Sequence, residues 1–194
     1  IPLIAETGGQ NAMIVDSTAL PEQVVADVLL SAFDSAGQRC SALRVLCLQE
    51  EVADRVLSML KGAMAELRLG RPDALAVDIG PVISAEAKAG IEAHSAALRK
   101  PGAPITRLTA PDEQGHFVAP ALIEIDDIAQ LEREVFGPVL HVLRYRRAGL
   151  PGLIAAINAT GYGLTFGLHT RLAATEAAVT SRIKAGNLYV NRNM

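Results

Sequence analysis

Short apolar runs alternate along the chain with longer stretches in which apolar residues recur every three or four positions. Residues 11–15 and 43–48 read as strands. Between them, residues 21–36 carry Val24, Val25, Val28, Leu29 and Ala32 at helical spacing, with Thr18 as a cap and Gly37 as a stop. Residues 52–67 repeat the period, with Val52, Val56, Leu57, Leu60 and Met64 on one side and Asp54, Arg55, Lys61 and Glu66 on the other. A third helix is expected over residues 84–99, where Ser84 and Glu86 at the start and Arg99 at the end suit the helix dipole. Strand-like runs follow at 105–108, 117–125 and 139–145, and Pro120 places the middle one at an edge or a bulge. The last third gives a helix at 150–158, a turn at Gly161-Tyr162-Gly163, a strand at 165–170, a helix at 173–185 and a strand at 187–191. This alternation predicts an α/β fold with a largely parallel sheet flanked by helices.

Composition narrows what such a fold could do. The 194 residues are 50% hydrophobic and 20% charged, enough apolar material for a core, and they are read as one domain spanning residues 1–194. The chain begins at Ile1-Pro2 without an initiator Met and ends at Asn193-Met194, so it is expected to be a piece of something longer. Eighteen Lys and Arg against 21 Asp and Glu leave a net charge of −3, which argues against nucleic acid or an anionic membrane as partner. Aromatic residues are scarce and Trp is absent, so platforms for stacking bases are not expected. No uncharged apolar run is long enough to span a bilayer. Two cysteines, Cys40 and Cys47, with no His or Cys at zinc spacing, point to a reducing, cytoplasmic setting without a structural metal. The four histidines show no ligand pattern, and no metal role is assigned to them.

Three segments could carry chemistry. Gly37-Gln38-Arg39-Cys40-Ser41 joins a predicted helix to a predicted strand. A thiol there could act as a nucleophile if Arg39, Arg44 or backbone N–H groups favoured its thiolate; taken singly, Cys40 reads first as a small buried hydrophobe. Cys47 lies within an apolar strand-like run and is expected in the core. Glu6-Thr7-Gly8-Gly9-Gln10 sets a carboxylate before a two-glycine turn, where it is either a general base at a pocket edge or a solvated surface acid. In Glu134-Val135-Phe136-Gly137-Pro138, an extended backbone would point Glu134 and Phe136 the same way, so that a carboxylate could take ribose hydroxyls while a ring lines a flat cofactor.

Together these segments resemble the aldehyde dehydrogenase superfamily. Ala5-Glu6-Thr7-Gly8-Gly9-Gln10-Asn11-Ala12 is similar to its glutamate motif. Phe33, followed by Gly37-Gln38-Arg39-Cys40-Ser41-Ala42-Leu43-Arg44, is similar to its cysteine motif, at a typical separation of 40 − 6 = 34 residues. Glu134-Val135-Phe136-Gly137-Pro138-Val139 resembles the third recurrent segment. The wording around them is similar to the pyrroline-5-carboxylate dehydrogenase branch carried within bacterial bifunctional proline-catabolic enzymes. The resemblance implies the twisted, largely parallel catalytic domain of that family and NAD-dependent oxidation of glutamate γ-semialdehyde to glutamate. It implies Cys40 as nucleophile and Glu6 as the base that activates water; Glu134, Phe136 and Thr7 on the cofactor; and Ser41 and Arg39 on the substrate carboxylate. It further implies a small-molecule aldehyde as partner and a homo-oligomeric full-length protein, with FAD confined to a proline dehydrogenase domain outside these residues.

Departures from the family pattern set further expectations. Gln10 stands where the family usually has Lys. The nucleotide-binding half, the Asn that completes the oxyanion hole and the second substrate loop are not among these residues, so the isolated segment is expected to be inactive. Two other readings stay open at this point: an aldehyde dehydrogenase for a different aldehyde, and a non-catalytic binding or assembly module that keeps the fold.

Overall fold

The computed structural model describes residues 8–98 and 115–194. Glu6, Thr7 and the strand expected at 105–108 lie outside the described residues. Within them, six strands form one sheet in which every pairing is parallel: β1 (Ala12–Val15), β2 (Val45–Gln49), β3 (Ala121–Ile125), β4 (Val139–Tyr145), β5 (Thr165–His169) and β6 (Asn187–Val190), in the order β3-β4-β2-β1-β5-β6. The central strands read as unbroken apolar runs because helices cover both of their faces, and every residue of β1, β2 and β5 is buried. The edges differ: β3 alternates between buried and half-buried positions, and β6 is exposed at its start. Pro120 sits just ahead of edge strand β3, where its missing N–H costs no ladder bond.

Five helices connect these strands: α1 (Pro21–Phe33), α2 (Glu50–Ala65), α3 (Ala85–Leu98), α4 (Leu150–Ala159) and α5 (Ala173–Thr180). Helix α2 buries the predicted stripe, with Val52, Val56, Leu57, Leu60 and Met64 all inward, and packs beside α1. Helix α1 differs from expectation at both ends. Its N-cap is Leu20 with Pro21 in the first turn, whereas Thr18 spends its hydroxyl on Asp16 Oδ1 at 2.6 Å. It also stops at Phe33, three residues early, because Ser35, Ala36 and Gly37 turn left-handed with φ of 56°, 54° and 66°. Helix α5 likewise ends at Thr180, short of the expected residue 185.

Helix α3 contributes one fully buried side chain, Ile91, which packs onto the backbone of Gly137. One turn later His94 meets His141 of β4, Nε2 to Nε2 at 2.8 Å with the rings edge to face. His141 Nδ1 lies 2.9 Å from the carbonyl of Arg44, and a carbonyl only accepts, so Nδ1 carries the proton and Nε2 accepts from His94. Burial lowers both histidines, His141 to about 4, with the neighbouring His94 and Arg44 adding to the effect against the Arg44 carbonyl, and Arg133 adding to it at His94.

Two predictions follow from this framework. His141 takes up its proton at lower pH folded than unfolded, so the unfolded state binds more protons between about 4 and 6.5. Stability is therefore complete above that window and falls by about 3 kcal/mol as the pH drops through it; thermal midpoints across this range should show the slope in the wild type and its loss in His141→Gln. Gly37 has φ of 66° and its hydrogen points at the Gly137 carbonyl. Gly37→Ala should destabilise the protein by about 2–4 kcal/mol, seen as a lowered denaturant midpoint.

Candidate active site

The three segments singled out in the sequence meet at the amino ends of the central strands. Residues 8–11 lead into β1, residues 40–44 into β2 and residues 134–138 into β4. A depression of about 260 Å³ at the opposite, carboxyl ends, lined by Asp16, Gln49, Tyr145 and Arg147 among others, contains none of these residues.

Asn11 holds the cysteine segment against β1. Its Nδ2 donates to the carbonyls of Cys40 at 2.7 Å and Ala42 at 2.9 Å, while its Oδ1 accepts from Thr165 N at 3.1 Å. The Asn11 carbonyl accepts from Arg44 N and Val45 N, so one residue anchors the loop from both sides. The two glycines ahead of it allow contact at backbone distance. A Cβ on Gly9 would fall 2.7 Å from the Cys40 carbonyl oxygen, and one on Gly8 would strike the Glu134 carboxylate. Cys40 itself stands exposed on its turn, whereas Cys47 is fully buried in β2 and desolvation raises its thiol to about 12.

Glu134 is turned inward. Its Oε2 accepts from Gly9 N at 2.8 Å, and its Oε1 accepts from Arg44 Nε at 3.1 Å and Nη2 at 2.9 Å. The side chains of this pair are 10% and 1% exposed, respectively. Burial pulls the Arg44 pKa down from its ordinary value, and the hydrogen bonds and charge of Glu134 oppose that shift. Arg44 also donates from Nη1 to Gly137 O and from Nη2 to Arg39 O, and its guanidinium lies 5.1 Å from the centre of the Phe136 ring. Glu134 and Phe136 thus both contact Arg44, Glu134 through its carboxylate and Phe136 through its ring face.

Phe136 is 44% exposed, unusual for so large an apolar ring. A ring this exposed, beside a carboxylate whose Oε2 has Gly9 N as its one hydrogen-bond partner among the described residues, suits the hydroxyls and flat base of a nucleotide. Ser41 is half-buried beside Cys40, and its carbonyl accepts from Thr165 Oγ1 at 3.3 Å. Arg39 folds back along α1, donating from Nη2 to the carbonyls of Leu30 at 2.9 Å and Ser31 at 3.3 Å. Gln38 ties the turn to the loop before α3, accepting from Ile83 N at 2.9 Å. Among the described residues no group of three His, Cys, Asp or Glu could hold a metal ion, and no helix is long and apolar enough to cross a membrane.

Sequence reasoning placed Arg44 only as a possible source of positive field and passed over Asn11. Each had a visible signal: a charged or amide residue at the mouth of an apolar strand, in a parallel sheet whose strand ends are buried.

The profile described as "Aldehyde dehydrogenase family" matches residues 1–194. The whole chain is 64% identical over 201 residues to the "Bifunctional protein PutA" of Escherichia coli K12, of which it covers 15%. It is 32% identical over 192 residues to the "1-pyrroline-5-carboxylate dehydrogenase" of Geobacillus kaustophilus, covering 98% of this chain and 37% of that protein. Among solved structures, Bradyrhizobium japonicum Proline Utilization A (the D778Y mutant) superposes on all of the chain with a TM-score of 0.92 and 54% identity, over 20% of its own length. The chain therefore spans a minor part of the relatives it matches. It belongs to the aldehyde dehydrogenase family.

Proposed function

We propose that this chain is the cysteine-bearing catalytic part of an NAD-dependent enzyme that oxidises glutamate γ-semialdehyde to glutamate in proline catabolism. Support comes from convergence: the glutamate, cysteine and Glu134 segments lie against one another, with Gly9 N on Glu134 and Asn11 on the Cys40 carbonyl. The substrate assignment draws on the printed names of relatives, PutA and 1-pyrroline-5-carboxylate dehydrogenase.

In this reading Cys40 attacks the aldehyde carbon as the thiolate, forming a C–S bond and a thiohemiacetal oxyanion, which the Cys40 backbone N–H helps to hold. NAD, when bound, supplies the acceptor for the hydride that leaves this carbon. Cys40 then carries an acyl thioester. Glu6 takes a proton from a water molecule, whose oxygen attacks the thioester carbon and releases the carboxylate and the thiolate. Glu134, Phe136 and Thr7 serve the cofactor, Glu134 taking the nicotinamide ribose and Phe136 the ring. Ser41 contacts the substrate's amino-acid end. Arg39, tied to α1 by its Nη2, lends charge next to the nucleophile. In a bifunctional parent, FAD serves the proline-oxidising domain and no residue of this chain. The full-length protein is taken as a cytoplasmic homo-oligomer.

The test uses the full-length enzyme. Cys40→Ala should lower turnover of glutamate semialdehyde by about a thousandfold or more, while Cys47→Ala stays near wild type. Preference for short uncharged aldehydes across a panel would overturn the substrate assignment. Iodoacetamide at neutral pH should label Cys40 and leave Cys47 untouched, as read by peptide mass spectrometry, because Cys47 is fully buried with its thiol raised to about 12.

A further inference from the structure

Arg44 is a buried charge that the proposed chemistry does not use. It has the largest side chain among the fully buried residues, and four of its five N–H donors are engaged: Nε and one Nη2 proton on Glu134 Oε1, the other Nη2 proton on Arg39 O, and one Nη1 proton on Gly137 O. Its backbone is fixed as firmly. The N–H donates to Asn11 O, and the carbonyl accepts from both the backbone N–H and Nδ1 of His141. An arginine this constrained can transmit position, because neither its stem nor its fork is free to adjust.

We propose that Arg44 is a positioning residue that sets the cofactor side and the nucleophile side of the site together. On the cofactor side Nε and one Nη2 proton fall on Glu134 Oε1, and among the described residues Gly9 N is the one partner of Oε2, whose second acceptor direction is left for a ligand hydroxyl. The same guanidinium lies 5.1 Å from the Phe136 ring centre and so backs one face of the ring, leaving its other side to a flat ligand. On the nucleophile side, Nη2 holds the carbonyl of Arg39, the peptide unit that leads directly into Cys40. A lysine at this position keeps the charge but has no planar fork, so it cannot hold Glu134 and the Arg39 carbonyl at once.

The proposal rests on the reading of the site given above, and its test separates the two. In the full-length enzyme, Arg44→Lys, Glu134→Gln and the double variant are compared by calorimetric titration with NAD and by the rate of Cys40 alkylation without cofactor. Arg44→Lys and Glu134→Gln should each weaken NAD binding about tenfold, and the double variant should be no more than about twofold worse than the weaker single, because Arg44 acts through Glu134. Arg44→Lys should also change the Cys40 alkylation rate severalfold. NAD affinity within about twofold of wild type in folded Arg44→Lys, or losses that multiply in the double variant, would overturn the role. If Arg44→Lys does not accumulate folded, Arg44→Met with Glu134→Gln, which buries no lone charge, replaces it, and an unchanged Cys40 alkylation rate there would overturn the role equally. A wild-type enzyme that fails to bind NAD, or that alkylates Cys47 as fast as Cys40, sinks the underlying reading whatever the variants do.

Discussion

The contact between Arg44 and Glu134 is the constraint around which the site is arranged. Two opposite charges, 1% and 10% exposed, are held away from water, and removing one partner of such a pair typically costs about 3–5 kcal/mol because the other is left buried and uncompensated. The desolvation is offset by saturation. The guanidinium finds two further carbonyls and the carboxylate finds Gly9 N, so few donors or acceptors remain to be met by solvent. Because these partners come from residues 9, 39, 44, 134 and 137, one ion pair fixes the relative placement of three segments far apart in the chain.

That placement uses the less familiar end of a parallel sheet. Open α/β sheets ordinarily bind ligands beyond the carboxyl ends of their strands. Here the candidate residues gather at the amino ends, in the short loops that feed β1, β2 and β4. Those loops must pack at backbone distance, which accounts for Gly8-Gly9 against Glu134 and Cys40 and for Gly37 against Gly137. The left-handed run at Ser35, Ala36 and Gly37 has a related cause: the chain leaves α1 and must reverse within a few residues to present Cys40 on an exposed turn.

The two cysteines illustrate how strongly position governs a side chain's chemistry. Cys47 lies inside β2 between layers of hydrocarbon, where loss of solvation holds its proton on. Cys40, seven residues earlier by 47 − 40 = 7, stands exposed with its carbonyl gripped by Asn11 and the carbonyl before it gripped by Arg44. Hydrogen bonds hold the backbone around the thiol while Cys40 stands exposed, which suits the proposed role of nucleophile.

Much of this was legible in the sequence. Apolar runs at β1, β2 and β4 and the stripe on α2 announce themselves because burial of a regular element imposes its own period on the residues. Three motifs in fixed order made the family resemblance and named Cys40 and Glu134. Boundaries set by contact rather than period were not legible: α1 stops at Phe33 because the next residues must turn back toward the sheet, and no local propensity forbids the helix from reaching Ala36. Nor did the pattern show that Arg44 would be buried, that His94 and His141 would share a proton, or that Asn11 would clasp the Cys40 loop. A linear sequence specifies periodicity and residue chemistry, while the partner that makes a buried charge tolerable is chosen only when distant segments are packed together.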